Sequence, residues 1–203
     1  MINATTHAPP AQLPDVILLN GASSAGKSSL TAALQARLSF IRMGIDACIH
    51  ERAPVSWYGA PEGLCQAEGV GLVYGKEALK LWRAYHRSVR VCVDEGLRVV
   101  VDDAIITREL LDDWVTTLAG VDVFFVGVHC DAAELTLREV ARRDRALGSA
   151  VRSMGRVHAH AIYDLEVDST ATVSSALASQ IIGGMEARTS PSAFERMRAA
   201  SAS

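Results

Sequence analysis

No Cys-x-x-Cys pair occurs among the four cysteines, Cys48, Cys65, Cys92 and Cys130. Spacings this wide argue against a zinc site or a disulfide framework and point to reduced thiols. No run of ~18 apolar residues is present to span a bilayer. The start, Met1 to Pro14, also lacks the basic and apolar regions of a signal peptide. The expectation is a cytoplasmic protein with no membrane partner. An excess of one charge is missing too: a net charge of −3 and a pI near 6.1 leave no general polyanion-binding surface, so nucleic acid is not an expected partner. Apolar residues are plentiful, 49% against 21% charged over 203 residues, which suffices for one α/β domain with an ample core.

The chain is organised around Gly21-Ala22-Ser23-Ser24-Ala25-Gly26-Lys27-Ser28, a G-x-x-x-x-G-K-[ST] loop directly after the apolar run Val16-Ile17-Leu18-Leu19. A glycine-rich turn lets backbone N–H groups converge on the charges of a polyphosphate without Cβ atoms in the way. Lys27 would reach the β- and γ-phosphates of ATP, and the Ser28 hydroxyl would ligate Mg²⁺. With Ser29, these residues form the expected nucleotide-binding loop. A Gly/Ser-rich turn can match the pattern by chance, but here a buried-type strand precedes it and Leu30, Ala33, Leu34 and Leu38 follow at helical spacing.

Residues 1–14 read as a leader, 15–185 as the main domain and 186–203 as a tail with at most a short surface helix after Ser190-Pro191. Helices are expected from Lys27 to Leu38, Lys76 to Glu95, Thr107 to Leu118, Asp131 to Leu147, and from a Ser169 cap to Ile182, the last stopped by Gly183-Gly184. Strands are expected over Phe40–Ile45, Leu97–Val101, Val121–Cys130 and Tyr163–Asp168. Between 50 and 75, Pro54, Gly59, Pro61, Gly63, Gly69 and Gly71 break the periodicity around Trp57, Tyr58 and Tyr74. Such a segment is either a binding insert or a loop whose rings cover a local cluster. Alternating strands and helices specify a three-layer α/β fold with a central parallel sheet of about five strands, and ligands bind at the carboxyl ends of those strands.

Several carboxylates and arginines fall on that rim. Asp102 and Asp103 end an apolar strand, where one would hold Mg²⁺ unless both merely cap the next turn. Asp46 is placed to take or orient an acceptor's proton, or else to cap a helix. Arg138, Arg142 and Arg145 share one helical face in a segment, 138–156, that reads as a lid over the transferring phosphoryl group; the alternative is a solvated charged helix. Arg138 and Arg142 are the expected contacts. His129, His158 and His160 read as surface or core imidazoles, not as metal ligands.

With these residues laid out, the chain resembles the chloramphenicol phosphotransferases, P-loop kinases that move the γ-phosphoryl group of ATP to an antibiotic's hydroxyl. The likeness rests on Ile17 through Ser28, Gly44-Ile45-Asp46, Val100-Val101-Asp102-Asp103, Val126 through Asp131, Arg138-Glu139 through Asp144-Arg145, Val157-His158 and Tyr163 through Asp168, and it extends from about residue 16 to 182. It implies an ATP- and Mg²⁺-dependent nucleotide-kinase-like enzyme with Asp46 as general base. The region from Glu51 to Gly75 departs from the family, carrying Trp57-Tyr58 and the Cys65 turn. The acceptor, a small hydroxylated molecule, is expected near Trp57, Tyr58, Trp82, Tyr85 or His86. A kinase for a sugar or hydroxy acid, similar to shikimate or gluconate kinases, would want an arginine there, and Arg52 and Arg83 are the nearby ones. A nucleotide-binding sensor without turnover is the remaining alternative, and a homo-oligomer is compatible with all three.

Overall fold

The computed structural model of the chain describes residues 13–67, 71–142 and 148–201. Its strands are β1 (Val16–Asn20), β2 (Ile41–Gly44), β3 (Leu64–Ala67), β4 (Gly71–Tyr74), β5 (Val99–Asp103), β6 (Val123–His129) and β7 (Leu165–Asp168). Its helices are α1 (Lys27–Gln35), α2 (Ile45–Arg52), α3 (Lys76–Asp94), α4 (Arg108–Thr117), α5 (Ala132–Arg142), α6 (Ser149–His158), α7 (Ser174–Glu186) and α8 (Ala193–Ser201). Five strands pair in parallel in the order β2-β5-β1-β6-β7. From β1 the chain crosses to one side of the sheet to build β2 and β5 and to the other to build β6 and β7. The carboxyl end of β1 therefore lies at the switch point where such folds bind ligands.

Because side chains alternate along a strand, each strand contributes to two cores. Val16, Leu18, Val99, Val101, Val123 and Phe125 pack with Trp82 and Val89 of α3 and Leu110 and Trp114 of α4. Ile17, Leu19, Val100, Phe124, Val126 and Val128 pack with α1, α5, α6 and α7 through Leu30, Leu34, Leu135, Val157, Leu177 and Ile181. Burial on both faces is why β1, β5 and β6 read as unbroken apolar runs. Among the described residues no helix is long and apolar enough to cross a membrane.

Three local expectations are corrected. The 50–75 segment is not only loop: after a single 3-10 turn, Val55–Trp57, it forms the antiparallel hairpin β3–β4, with Leu64 opposite Tyr74. The helix expected from Asp131 to Leu147 is described over Ala132–Arg142 as α5; residues 143–147 of it and of the expected lid lie outside the described residues, and α6 occupies Ser149–His158. Ser169 caps no helix, since α7 starts five residues later at Ser174. Nor do Gly183-Gly184 stop α7. A Cβ on Gly184 would come within 2.8 Å of Leu165 Cδ2, so this glycine allows close helix–sheet contact in place of ending the helix.

The tail is also more than a surface appendage. Arg188 makes a two-pronged ion pair with Asp122 at 2.7 and 2.6 Å, and Asp164 accepts the Ala193 N–H at 2.6 Å. These bonds seat α8 so that Phe194 is wholly buried, edge-on to Phe125 with ring centroids 5.3 Å apart. Phe194→Ala is expected to cost about 3 kcal/mol in urea unfolding, through lost burial and the cavity left behind. A cost below about 1 kcal/mol would place α8 outside the cooperative core.

Candidate active site

Between β1 and α1 the loop bends through two left-handed residues, Ser24 at φ 62° and Gly26 at φ 82°. Glycine adopts that conformation freely, but serine does so only under constraint. The strained Ser24 is also buried, and its hydroxyl has no hydrogen-bond partner. A donor held under strain without a partner in a turn before a helix N-terminus suits a phosphate oxygen, so the loop fits the tail of ATP.

Lys27, 7% exposed, donates to Gly21 O at 2.9 Å and Ala22 O at 2.8 Å, with its ammonium 3.7 Å from Asp102 Oδ1. Ser28 donates to Asp102 Oδ2 at 2.5 Å. A hydroxyl facing a strand-end carboxylate beside a phosphate loop is the donor set that would hold Mg²⁺.

Asp103 turns the other way. It accepts from Trp114 Nε1 and from Ala104 N, both at 2.7 Å, and lies 3.8 Å from His86 Nε2. Burial raises its pKa, against the lowering effect of His86 and these hydrogen bonds. The carboxylate expected as an alternative metal ligand thus fixes the α4 side of the fold. Strand alternation explains the split: Asp102 follows Val100 onto the α1 face, and Asp103 follows Val101 onto the α3–α4 face.

Asp46 is not at a strand end but in the first turn of α2, which leaves β2 without a loop. Ile45, Cys48 and Ile49 anchor that helix in the core, and Asp46 stays exposed. An open cavity of about 70 Å³ joins Ser23, Ser24 and residues 26–29 of the loop to Ile45 and Asp46 of α2 and to Asp102, Asp103 and Ala104. It opens to solvent and has room for about five waters, enough for the end of a polyphosphate.

None of the five aromatic and imidazole residues expected at the acceptor lines that cavity. Trp82 and Tyr85 are core residues, with the Trp82 ring tilted against Tyr74 at 4.2 Å between centroids. His86 is wholly buried, stacked on Trp114 at 3.9 Å and bonded through Nδ1 to Asp113 at 2.5 Å, a hydrogen bond that lowers the Asp113 pKa. It is structural, contrary to the expectation of an acceptor contact. Trp57 is half-buried, and the exposed Tyr58 donates to Ile49 O at 3.4 Å, which ties the insert to α2. Arg83 pairs with Glu109.

Arg138 is not a free lid cation. Its guanidinium bonds Glu134 at 2.7 Å and Ser169 O at 2.6 Å, and one of its nitrogens lies 3.3 Å from where a Gly26 Cβ would sit. It therefore presses the loop after β7 onto the phosphate loop. Ser169 Oγ completes the clasp, 2.9 Å from both Ala25 O and His129 O. The Arg142 side chain lies outside the described part of the structure.

Sequence reasoning missed Asn20, the wholly buried residue just before the loop. It donates to Val157 O at 2.6 Å and Tyr163 Oη at 2.9 Å and accepts from Ile105 N at 2.9 Å. One side chain thereby links the phosphate loop, the segment after Asp103 and the end of α6. Its signal was a polar residue closing an otherwise apolar strand. His158, held at Tyr163 Oη at 2.7 Å and stacked on His129, has its pKa lowered by burial to about 4, and so belongs to the same scaffold.

Residues 14–186 match the family model described as chloramphenicol phosphotransferase-like protein. The chain is 34% identical to Rv2636 of Mycobacterium tuberculosis, provisionally named an O-phosphotransferase, over 90% of this chain and 87% of that one. Among solved structures it is similar to a gluconokinase from Sinorhizobium meliloti, with a TM-score of 0.58 at 17% identity over 86% and 93% of the two chains. It is also similar to the Mycobacterium tuberculosis APS kinase CysC in complex with AMPPNP and APS, with a TM-score of 0.55 at 14% identity over 88% and 99%. At these identities the two structures speak for the fold.

Proposed function

The chain belongs to the chloramphenicol phosphotransferase-like family, and from that premise we propose that it moves the γ-phosphoryl group of ATP to a hydroxyl of a small antibiotic-like molecule, inactivating it. At the coarser level it is a P-loop small-molecule O-phosphotransferase; the antibiotic acceptor, the Mg²⁺ and the residue roles below are our reading. The observation that supports it is the single cavity shared by Asp46, Lys27, Ser28 and Asp102.

The loop amides, Ser24 and Lys27 would hold the phosphates, and Ser28 and Asp102 the metal. Mg²⁺, when bound, offsets negative charge on the phosphate oxygens. Asp46 receives the acceptor's proton as the acceptor oxygen bonds to the γ-phosphorus and the bond to the departing ADP oxygen breaks. Arg138 braces the phosphate loop from outside, while Arg142 remains the proposed contact to the transferring group. An anionic acceptor is the weaker reading, because Arg83 is already committed to Glu109.

The test is a mass-spectrometric screen of hydroxylated antibiotics, nucleosides, sugars and sugar acids for the gain of one phosphate. Neutral hydroxylated antibiotics are expected to be modified. A hit confined to sugar acids would replace the antibiotic by a metabolic acceptor, and ATP binding without turnover on any compound would favour the sensor.

A further inference from the structure

Among the described residues, Ser24 is the only one other than glycine with a left-handed backbone, at φ 62°. Glycine adopts that conformation without strain and does so at Gly26 in the same turn. The turn itself therefore has no need of a serine, and what the serine adds is a hydroxyl. That hydroxyl belongs to a residue only 6% exposed and has no hydrogen-bond partner. A buried donor left unpaired destabilises a fold, so one kept in a residue that lines the cavity points to a ligand.

The strand order indicates which part of the ligand. Along the rim β2 is followed by β5, and β5 by β1. Asp46, after β2, thus stands at one end of the cavity, Asp102 of β5 in the middle, and the loop after β1 at the other end. Phosphoryl transfer runs roughly in line, with the attacking and departing oxygens on opposite sides of the phosphorus. An acceptor oxygen held at Asp46 therefore leaves the departing oxygen on the loop side. Two side chains of the loop are already engaged, Lys27 with the Gly21 and Ala22 carbonyls and Ser28 with Asp102. The Ser24 hydroxyl is not.

We propose that the Ser24 hydroxyl donates a hydrogen bond to the oxygen bridging the β- and γ-phosphorus atoms, the one that departs with ADP. This deepens the phosphotransferase reading and rests on it. The acceptor oxygen bonds to the γ-phosphorus and gives its proton to Asp46, while the electron pair of the breaking bond moves onto the bridging oxygen. That oxygen is a weak acceptor in ATP, shared between two phosphorus atoms, and becomes a charged one in the transition state and in ADP. A bond that strengthens along the reaction raises kcat more than affinity for ATP.

Ser24→Gly and Ser24→Ala test this together. Glycine removes both the hydroxyl and the strain, and alanine removes the hydroxyl alone. Both variants should bind ADP about 10-fold or more weakly in calorimetry, as the loss of a hydrogen bond to a charged oxygen would produce. With an acceptor from the screen, kcat should fall by a similar factor while KM for ATP stays within about threefold of wild type. Melting temperatures should hold, since no bond of the fold is lost. Weaker ATP binding with unchanged kcat and ADP affinity would assign the hydroxyl to the γ-phosphate and overturn the proposal. So would wild-type kcat and ADP affinity in both variants. Failure of the phosphotransferase reading shows instead in the wild type: if the folded protein phosphorylates no compound in the screen, that reading falls and this one with it.

Discussion

Asp46→Asn should lower kcat for phosphoryl transfer by about 100- to 10,000-fold, the range lost with a positioned general base, and leave KM for ATP nearly unchanged. The substitution is well suited to the question because it keeps shape and one acceptor oxygen while abolishing the capacity to take a proton. Asparagine serves a helix start as well as aspartate does, so a role confined to the first turn of α2 would survive the change. Exposure of Asp46 works in the same direction: substitutions at such sites usually move stability by less than about 0.5 kcal/mol. A large kinetic loss without unfolding would therefore report chemistry. Single-turnover measurement separates it from slow product release, and an Asp46→Asn enzyme matching wild type there would remove Asp46 from the mechanism.

The same geometry shows why some of this molecule was readable from sequence and some was not. The sheet was legible because β1, β5 and β6 are buried on both faces, which leaves unbroken apolar runs no surface helix would carry. The phosphate loop was legible because its chemistry depends on spacing along the chain. Asp102 and Asp103 could be located but not told apart, since neighbours on a strand face opposite ways and only the packing of α1 against the Val100 side assigns the faces. That alternation was there to be used: Val100 and Asp102 share a face, and the helix after the loop must cover one face or the other. Ser169 failed as a cap because its hydroxyl found partners 144 and 40 residues away, at Ala25 and His129, which no local pattern encodes. The partners of Arg138 were hidden for a related reason, since a run of arginines says nothing of which one a carbonyl or carboxylate elsewhere has already engaged. The hairpin β3–β4 is short and glycine-flanked, and its pairing depends on contacts made after folding.

Lys27→Met is expected to cost about 100- to 1,000-fold in kcat/KM, the range lost with one preorganised group that stabilises a developing negative charge. Held by two loop carbonyls and 3.7 Å from Asp102, it is a nearly buried cation inside the loop. Methionine fills the same volume and leaves the Gly21 and Ala22 carbonyls without that donor, a penalty of about 1–3 kcal/mol for groups that stay buried. The competing gain is the removal of a desolvated charge, so the net change in stability should be small, whereas the phosphates lose the cation held within the loop. Arginine should not rescue, because its longer planar fork cannot occupy the space of a compact ammonium. Added Mg²⁺ separates the two ways the site could depend on Lys27. If the lysine acts directly on the phosphates, millimolar excess Mg²⁺ leaves the Lys27→Met defect in place; if it acts by holding Asp102 in position for the metal, excess Mg²⁺ restores activity. The first outcome is expected, because the Ser28 hydroxyl fixes Asp102 Oδ2 without help from Lys27.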